Sequence, residues 1–293
     1  MITVRFWGTR GSIATPGPKT LKYGGNTSCV EVRVKNHILV FDAGTGIREL
    51  GIRLLEEFKS KPISLHLFIS HTHWDHIQGF PFFLPAYDKR NKISIYGPPG
   101  HDKPFQKILR IQMDSEYFPV SLGDMSPEIH IVEMNEPLKL PGVTVEPFSL
   151  NHPGMTLAFR VSDGKHSVVY ATDNEPYRYT LHQHTKKKQE DLGQFLDEKF
   201  IDFLQETDLY VGEAQYTLDE YKQKLGWGHS PIESVAEWAV RANVKRLALF
   251  HHDPLHNDAV VDKMVKHAGN LIKNMRGKSK CFGAREGMEI KIG

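Results

Sequence analysis

The sequence predicts an α/β protein in which two β-sheets pack face to face between outer helices, a four-layer α/β/β/α sandwich. Two observations indicate this class. Short apolar segments rich in Val, Ile and Phe fall into an early and a late group, and helical patterns lie around and between the later segments. The chain has 293 residues, 40% of them hydrophobic, which is enough for one large domain with a substantial core or for two modest ones. Of these, we expect a single domain over residues 1–293.

The predicted strands are the short apolar segments that lie between turn residues. They span residues 2–7, 28–34, 38–42, 64–70, 92–96, 143–150, 157–162, 166–172, 208–212 and 245–251. No internal repeat and no long linker interrupts this series, which is consistent with one framework.

Two helices carry clear sequence signals. Apolar residues from Ile47 to Phe58 recur on one helical face, as in a helix that packs on a core. The sequence Ser230-Pro231-Ile232-Glu233 has the form of a capping box with proline at the first helical position. We therefore expect a second helix near residues 231–243.

Two stretches, 99–127 and 176–200, are predicted to be insertions in this framework. The second contains HQHTKKKQED, the densest charge in the chain. We interpret its lysine run, Lys186 to Lys188, as a solvated loop rather than as a phosphate-binding patch.

Composition excludes several classes of protein. The formal net charge is only +2, from 37 Lys plus Arg against 35 Asp plus Glu, so stable binding to nucleic acid is not expected. Cys29 and Cys281 lie outside any CxxC pattern, which indicates two reduced thiols rather than disulfides or a thiolate zinc site. The start MITVRFWGTRGS has no apolar signal-peptide region, and no apolar stretch approaches the length of a membrane span. We therefore expect a cytoplasmic protein with no membrane contact.

The segment LHLFISHTHWDHIQG, residues 65–79, carries the main functional signal. His71, His73, Asp75 and His76 crowd into six positions directly after a predicted strand. Such groups would repel or desolvate one another unless a cation lies between them. Alternate residues of an extended segment share a side, so His71 and His73 can face one ion while Asp75 and His76 turn to another. The spacing predicts two metal ions.

Further candidate ligands end several other predicted strands. They are His152 in FSLNHPG, Asp173 in VVYATDNE and His251 in LALFHHDP, and Asp42 in LVFDAGTG adds a carboxylate. Singly each is more typical of a cap or a turn, but together they supply the ligands that the first cluster lacks.

This HxHxDH motif, followed by a His, an Asp and a last His, resembles the metallo-β-lactamase superfold hydrolases over nearly the whole chain. The resemblance implies that His71, His73 and His152 bind one ion, that Asp75, His76 and His251 bind the other, and that Asp173 bridges both. His252 is an alternative to His251 as the last ligand, although the strand phase of Leu247 and Leu249 favours His251.

Within the superfold, the chain resembles the phosphodiesterase branch. An Asp at position 173, where lactam hydrolases carry a Cys, argues against lactam cleavage. DLYVGEAQY is similar to the HEATF-type segment of tRNA 3'-processing endonucleases, and GWGHSP is similar to their His-Ser motif. FWGTRGS and GGNTSC also resemble N-terminal segments of that branch. The resemblance implies that Glu213 orients His229.

The implied chemistry is metal-assisted attack of water on a phosphodiester. Asp75 would accept a proton from that water, and His229 would protonate the departing alkoxide. Asp42 is expected to fix a ligand from outside the coordination sphere. Because the ligands mix imidazole with carboxylate, Zn²⁺ is the leading choice, with Mn²⁺ and Fe²⁺ open.

The substrate is expected to be small. The tRNA-processing relatives carry a long basic arm, in many of them between the middle His and the bridging Asp, whereas the gap between His152 and Asp173 holds only two predicted strands. The resemblance to armless relatives, which include bacterial cyclic-nucleotide phosphodiesterases and the carbon-phosphorus lyase accessory phosphodiesterase, implies a cyclic nucleotide or a cyclic sugar phosphate. The accessory phosphodiesterases often carry a cysteine-rich zinc site that two Cys cannot build, so a cyclic nucleotide is the favoured substrate of a dimetal phosphodiesterase. The alternatives are a tRNA 3'-end processing endoribonuclease and a non-catalytic metal-binding sensor. A homodimer in which residues 176–200 cover the neighbour's site is compatible with the sequence.

Overall fold

The computed structural model describes residues 1–100, 102–125, 128–181 and 187–293, with the side chains of 187–190 left out. It contains two compact units, each described below by itself. The first comprises Met1–Pro137 together with Arg285–Gly293, and the second comprises Leu138–Ala284.

The strands are numbered here in chain order. They are β1 Ile2–Gly8, β2 Cys29–Val34, β3 His37–Phe41, β4 Ser64–Phe68, β5 Lys92–Gly97, β6 Glu128–Glu133, β7 Leu138–Leu140, β8 Val143–Ser149, β9 Leu157–Ser162, β10 Ser167–Ala171, β11 Leu209–Glu213, β12 Arg246–Phe250, β13 Lys280–Gly283 and β14 Glu289–Ile292.

The α-helices are numbered in the same way. They are α1 Ile47–Phe58, α2 Trp74–Ile77, α3 Phe105–Ile111, α4 Tyr177–Thr180, α5 Lys187–Leu204, α6 Leu218–Tyr221, α7 Ile232–Arg241 and α8 Asp258–Asn274. Two short 3₁₀ helices span Phe80–Phe82 and Leu84–Tyr87.

The first unit is built on a seven-stranded mixed sheet in the order β14-β1-β2-β3-β4-β5-β6. Strands β3 to β6 pair in parallel, and the others pair antiparallel. Helix α1 packs on this sheet because its apolar face, including Leu50 and Leu54, is buried in the same core as Val40 and Leu67. Since parallel strands end at the same edge of a sheet, the residues after β3 and β4 are neighbours.

The second unit is also a seven-stranded mixed sheet, in the order β13-β12-β11-β10-β9-β8-β7. Strands β10 to β13 pair in parallel, and β7 to β10 pair antiparallel. Helices α5, α7 and α8 share its core, in which Trp238 of α7 packs edge-on against Phe200 of α5 at a centroid distance of 5.1 Å. Because β10, β11 and β12 pair in parallel, their carboxyl ends lie side by side at one edge of the sheet.

All ten predicted strands are confirmed, with boundaries shifted by at most two residues. The sequence reading did not identify β6, β7, β13 and β14, which are short or half-exposed and carry charged residues. Their membership in a sheet comes from pairing with β5, β8, β12 and β1, which a local pattern does not reveal.

The helix predicted near 231–243 is confirmed as α7, but its predicted capping box is wrong. The cap position is Pro231, and no side chain caps the helix. The Ser230 hydroxyl instead donates to the Asn174 carbonyl, and the Ser230 amide donates to Glu213. Contacts with distant residues therefore outcompete the local cap.

The single domain and the two insertions stay predictions. Helix α3 lies within residues 99–127, and α4 and part of α5 lie within 176–200. The interpretation of the lysine run falls on Lys186, which lies outside the described residues, and on side chains that are not described.

Both cysteines are free thiols, and burial raises their pKa, that of Cys281 to about 12. Thiols of this kind are inert at neutral pH.

Among the helices of the described ranges, none has the length and apolar character needed to cross a membrane.

Candidate metal centre

The turn after β4 brings four candidate ligands together in the first unit. His71, Asp75 and His76 are buried, whereas His73 is exposed in an extended conformation just before α2. The Nε2 atom of His71 lies 2.9 Å from Nδ1 of His73, and Nε2 of His76 lies 3.1 Å from Oδ2 of Asp75. Two atoms that ligate one Zn²⁺ ion at tetrahedral angles lie roughly 3.3 Å apart, so both spacings suit shared ions.

Asp42 holds this turn from the end of β3. Its fully buried carboxylate accepts hydrogen bonds from the Ser70 amide at 2.7 Å, from the Ser70 hydroxyl at 2.8 Å and from Nδ1 of His76 at 2.7 Å. A histidine that donates from Nδ1 presents the lone pair of Nε2 to a metal ion. The position of Asp42 is therefore the one expected for a residue that fixes a ligand.

Replacing Asp42 should weaken metal binding without acting on a ligand. Asp42 adopts a left-handed backbone with φ of +60°, which asparagine tolerates and alanine does not. We expect Asp42→Asn to fold and to lose roughly 10- to 100-fold in metal affinity, because the carboxylate that polarises His76 is gone. Asp42→Ala should also lose about 3 kcal/mol of stability, since buried donors are left unpaired.

Titration of the metal against a competing chelator measures the metal affinity, and urea unfolding measures the stability. An Asp42→Asn protein that binds metal like the unchanged chain would contradict the assigned role.

Asp75 has a further contact that the sequence did not predict. The Ser12 amide, in the segment FWGTRGS, donates to Oδ2 of Asp75 at 2.7 Å. Ser12 has a φ of +64°, which turns its amide inward. This contact gives the N-terminal segment a structural purpose at the site.

The second unit groups its candidate ligands around Asp173, which follows β10. Its Oδ2 atom lies 3.6 Å from Nε2 of His152, and its Oδ1 atom lies 3.2 Å from Nε2 of His251. All three side chains are nearly or fully buried. The two carboxylate oxygens therefore face different imidazoles, which is the arrangement required of a ligand that bridges two ions.

Both imidazoles are oriented by an acceptor at Nδ1. His152 donates to the Gly228 carbonyl at 2.8 Å, and His251 donates to Oε1 of Gln215 at 2.9 Å. Nε2 of each of these two rings is thereby turned toward Asp173. In the first unit, Asp42 orients the ring of His76 in the same way, through Nδ1. Neither Gln215 nor the Gly228 carbonyl was predicted, because backbone acceptors and neutral amides leave no metal-binding pattern in a sequence.

The adjacent His252 points elsewhere. Its Nε2 atom lies 2.9 Å from the Ala284 carbonyl, after β13. His251 is thus the member of the doublet that lies beside Asp173, in agreement with its strand phase.

Glu213 ends β11 and is 1% exposed. Its carboxylate accepts hydrogen bonds from the Ser230 amide and from the Gln215 amide, whereas His229 Nδ1 is 3.9 Å away, beyond hydrogen-bond distance. Burial, and next the negative charge of Asp173, raise the pKa of Glu213 well above its usual value. The carboxylate of Glu213 therefore holds the backbone directly after His229.

His229 itself is 8% exposed and lies among the other functional groups. Its ring centroid is 5.3 Å from that of His152 and 5.3 Å from that of His251, and its Nδ1 atom is 4.0 Å from Oδ2 of Asp173. It is placed to exchange a proton with a group held beside Asp173.

Glu175 is a positioning residue that was not predicted from the sequence, although it ends the segment VVYATDNE. Its buried carboxylate accepts from the amides of Gly226 and Gly228 at 2.8 Å each and from the Tyr221 hydroxyl at 2.7 Å. Gly228 has a φ of +85°, and a Cβ there would lie 2.1 Å from Nδ1 of His152. Glu175 and this glycine thus shape the loop that carries His229.

Candidate ligands of both units belong to groups of His, Asp and Glu side chains that could hold a metal ion. They are His71, His73, Asp75 and His76 in the first unit and His152, Asp173, Glu213, His229 and His251 in the second. The donor chemistry and the oriented Nε2 atoms fit divalent metals.

The chain is similar to known proteins over most of its length. The family model described as "Beta-lactamase superfamily domain" matches residues 37–252. The ribonuclease Z of Picrophilus torridus is 23% identical over 300 residues, which cover 87% of this chain and 87% of that protein.

Solved structures show the fold. The metallo-beta-lactamase fold protein YhfI from Bacillus subtilis has a TM-score of 0.69 at 20% identity and covers 99% of this chain and 98% of its own. A diphosphatase from the PhnP family has a TM-score of 0.66 at 15% identity, with coverage of 100% and 98%. The predicted fold class is confirmed.

Proposed function

The chain belongs to the beta-lactamase superfamily and is a metal-dependent hydrolase, and we propose from this premise that it is a dimetal phosphodiesterase acting on a small phosphodiester, foremost a cyclic nucleotide. The observation that carries the proposal is the carboxylate of Asp173, whose two oxygens face His152 and His251 separately. An aspartate in this position, where lactam hydrolases carry a cysteine, argues against lactam cleavage, and the segments that contain Glu213 and His229 favour a phosphodiester.

The proposed ligands follow from the sequence motif. His71, His73 and His152 would hold one ion, Asp75, His76 and His251 would hold the other, and Asp173 would be a ligand of both. The spacings of these pairs within each unit, and the acceptors that orient His76, His152 and His251, support this assignment. Zn²⁺ is the leading choice for the mixed donor set, and Mn²⁺ and Fe²⁺ suit it as well.

Divalent ions at this site would lower the pKa of a water molecule and neutralise charge on the phosphoryl oxygens. Two side chains of the protein transfer the protons. Asp75 accepts a proton from the attacking water, and His229 gives one to the departing alkoxide, which otherwise leaves slowly. Glu213 and Glu175 hold the backbone on either side of His229 and thereby fix its distance from the reacting phosphate.

The proposed substrate is small because of what lies between His152 and Asp173. Strands β9 and β10 form a hairpin there, and its turn is closed by Asp163, which accepts from the amides of Lys165 and His166. A hairpin of this length carries no arm that could grip a tRNA body, and the net charge of +2 adds no general attraction.

RNA 3'-end processing is the second candidate. It is favoured by the ribonuclease Z of Picrophilus torridus, which aligns over most of both chains. The predicted homodimer and the predicted cytoplasmic location remain proposals alongside either function.

A substrate panel separates the candidates. The metal-loaded protein is assayed with 3',5'-cyclic AMP, 3',5'-cyclic GMP, bis(p-nitrophenyl) phosphate and a precursor tRNA with a 3' trailer, and Asp173→Ala serves as the control for contaminating activity. We expect turnover of the cyclic nucleotides and the chromogenic diester. Cleavage of the tRNA alone would replace the proposal with the second candidate, and inertness toward every diester would indicate a sensor.

A further inference from the structure

A cavity of about 420 Å³ lies in the first unit beside the turn that carries the candidate ligands. Thr72 and Trp74, which alternate with His71, His73 and Asp75 along the chain, line this space. Residues of α3 and of the segment after it line it as well, so the predicted insertion at 99–127 contributes nearly half of the lining residues. We call this space the aromatic cavity.

The lining is unusually apolar for a surface that reaches solvent. Trp74 is 80% exposed, Tyr117 is 76% exposed and Phe82 is 54% exposed. Phe82 and Phe118 pack edge to face at a centroid distance of 5.4 Å, which joins the two parts of the lining. Exposed aromatic rings that cluster around a concave space are typical of a binding site.

One polar group in this lining is unsatisfied. Gln112, which follows α3, has an Nε2 atom that is buried and has no hydrogen-bond partner among the described residues. A buried amide donor without a partner is costly, so such groups are normally paired. The terminal torsion of glutamine is soft, and its carboxamide can turn to offer both a donor and an acceptor to a ligand in the cavity.

We propose that the aromatic cavity binds the nucleobase of the substrate, a proposal that rests on the phosphodiesterase function. A nucleobase is a flat ring whose face stacks on aromatic side chains, here Trp74 and Tyr117. Its edge carries adjacent donors and acceptors, which match the carboxamide of Gln112. The volume of about 420 Å³ admits one such group. Because Thr72 and Trp74 belong to the ligand turn, a base in this cavity places its phosphate close to that turn.

Binding of nucleosides tests the cavity independently of hydrolysis. Adenosine contains no phosphodiester, so its binding to the metal-loaded protein can be measured by calorimetry, with ribose as the comparison. We expect adenosine to bind and ribose not to bind. Gln112→Leu and Tyr117→Ala should each weaken adenosine binding about tenfold, because each removes one base contact. Tyr117 is exposed, so its variant keeps the test valid if Gln112→Leu fails to fold.

Met275→Ala is the control. Met275 is an exposed apolar residue, 38% accessible, at the end of α8 in the second unit, outside both predicted insertions. Its variant should bind adenosine normally. Equal weakening by Met275→Ala, or the absence of adenosine binding, would overturn the assignment.

Kinetics connects the cavity to the reaction. Gln112→Leu should lower kcat/KM for 3',5'-cyclic AMP about tenfold while changing that for the abasic cyclic ribose phosphate less than twofold. Adenosine binding without any diester hydrolysis would support the cavity and refute the phosphodiesterase. Hydrolysis with equal kcat/KM for both substrates would refute the cavity alone. If Tyr117→Ala dissociates an oligomer and no nucleoside binds, the aromatic surface is a contact between copies and the proposal fails.

Discussion

His73→Ala is expected to release bound metal and to lower phosphodiester hydrolysis by about a thousandfold. His73 is exposed and lies outside regular structure, just before α2, so the fold does not depend on its side chain. Its Nδ1 atom lies 2.9 Å from Nε2 of His71, and removing it leaves an ion with one fewer protein ligand. The ion supplies several kcal/mol of transition-state stabilisation, which corresponds to a rate factor of about this size.

Metal content by mass spectrometry and the rate with bis(p-nitrophenyl) phosphate measure the effect. His130→Ala is the matched control, because His130 is an exposed histidine of β6 in the same unit, with 65% of its side chain accessible. We expect the control to keep its metal and its rate. Two ions per chain in His73→Ala would show that His73 is not a ligand.

Most of the framework was readable from the sequence because its central strands are buried on both faces. Strands β10 and β12 are nearly continuous apolar runs, and such runs are a local signal. The candidate ligands could be selected for the same reason, since His71, Asp173 and His251 each lie just after a strand. Edge strands such as β7 and β14 carry a weaker pattern, because half of each faces solvent.

The residues that orient the ligands could not be predicted in the same way. Gln215 and Glu175 act through hydrogen bonds to partners far along the chain, and their residue types are not specific for a metal site. At Ser230 a local sequence signal was present but predicted the wrong contact. Its local pattern predicted a helix cap, but its hydroxyl and amide bond to Asn174 and Glu213. A short motif indicates which hydrogen bonds a residue can form, and the tertiary neighbours determine which of those hydrogen bonds forms.

The second large effect is expected at the proton donor. His229→Ala should lower turnover of 3',5'-cyclic AMP roughly 10²- to 10⁴-fold, the usual contribution of a positioned general acid. Its Nδ1 atom lies 4.0 Å from Oδ2 of Asp173, close enough to protonate the leaving group of a phosphodiester held there. His229 is not one of the proposed metal ligands. The metal content of the variant should therefore stay near that of the unchanged protein.

The leaving group distinguishes proton donation from a structural role. The p-nitrophenolate group departs without a proton, whereas a ribose alkoxide does not, so His229→Ala should retain far more of its rate on bis(p-nitrophenyl) phosphate than on 3',5'-cyclic AMP. His267→Ala, on the exposed face of α8 with 47% of its side chain accessible, is the histidine control and should match the unchanged chain on both substrates. Equal losses on the two substrates, or loss of metal from His229→Ala, would mean that His229 holds the site together rather than supplying the proton. Because His73→Ala should lose metal and His229→Ala should not, the pair separates ion binding from proton transfer.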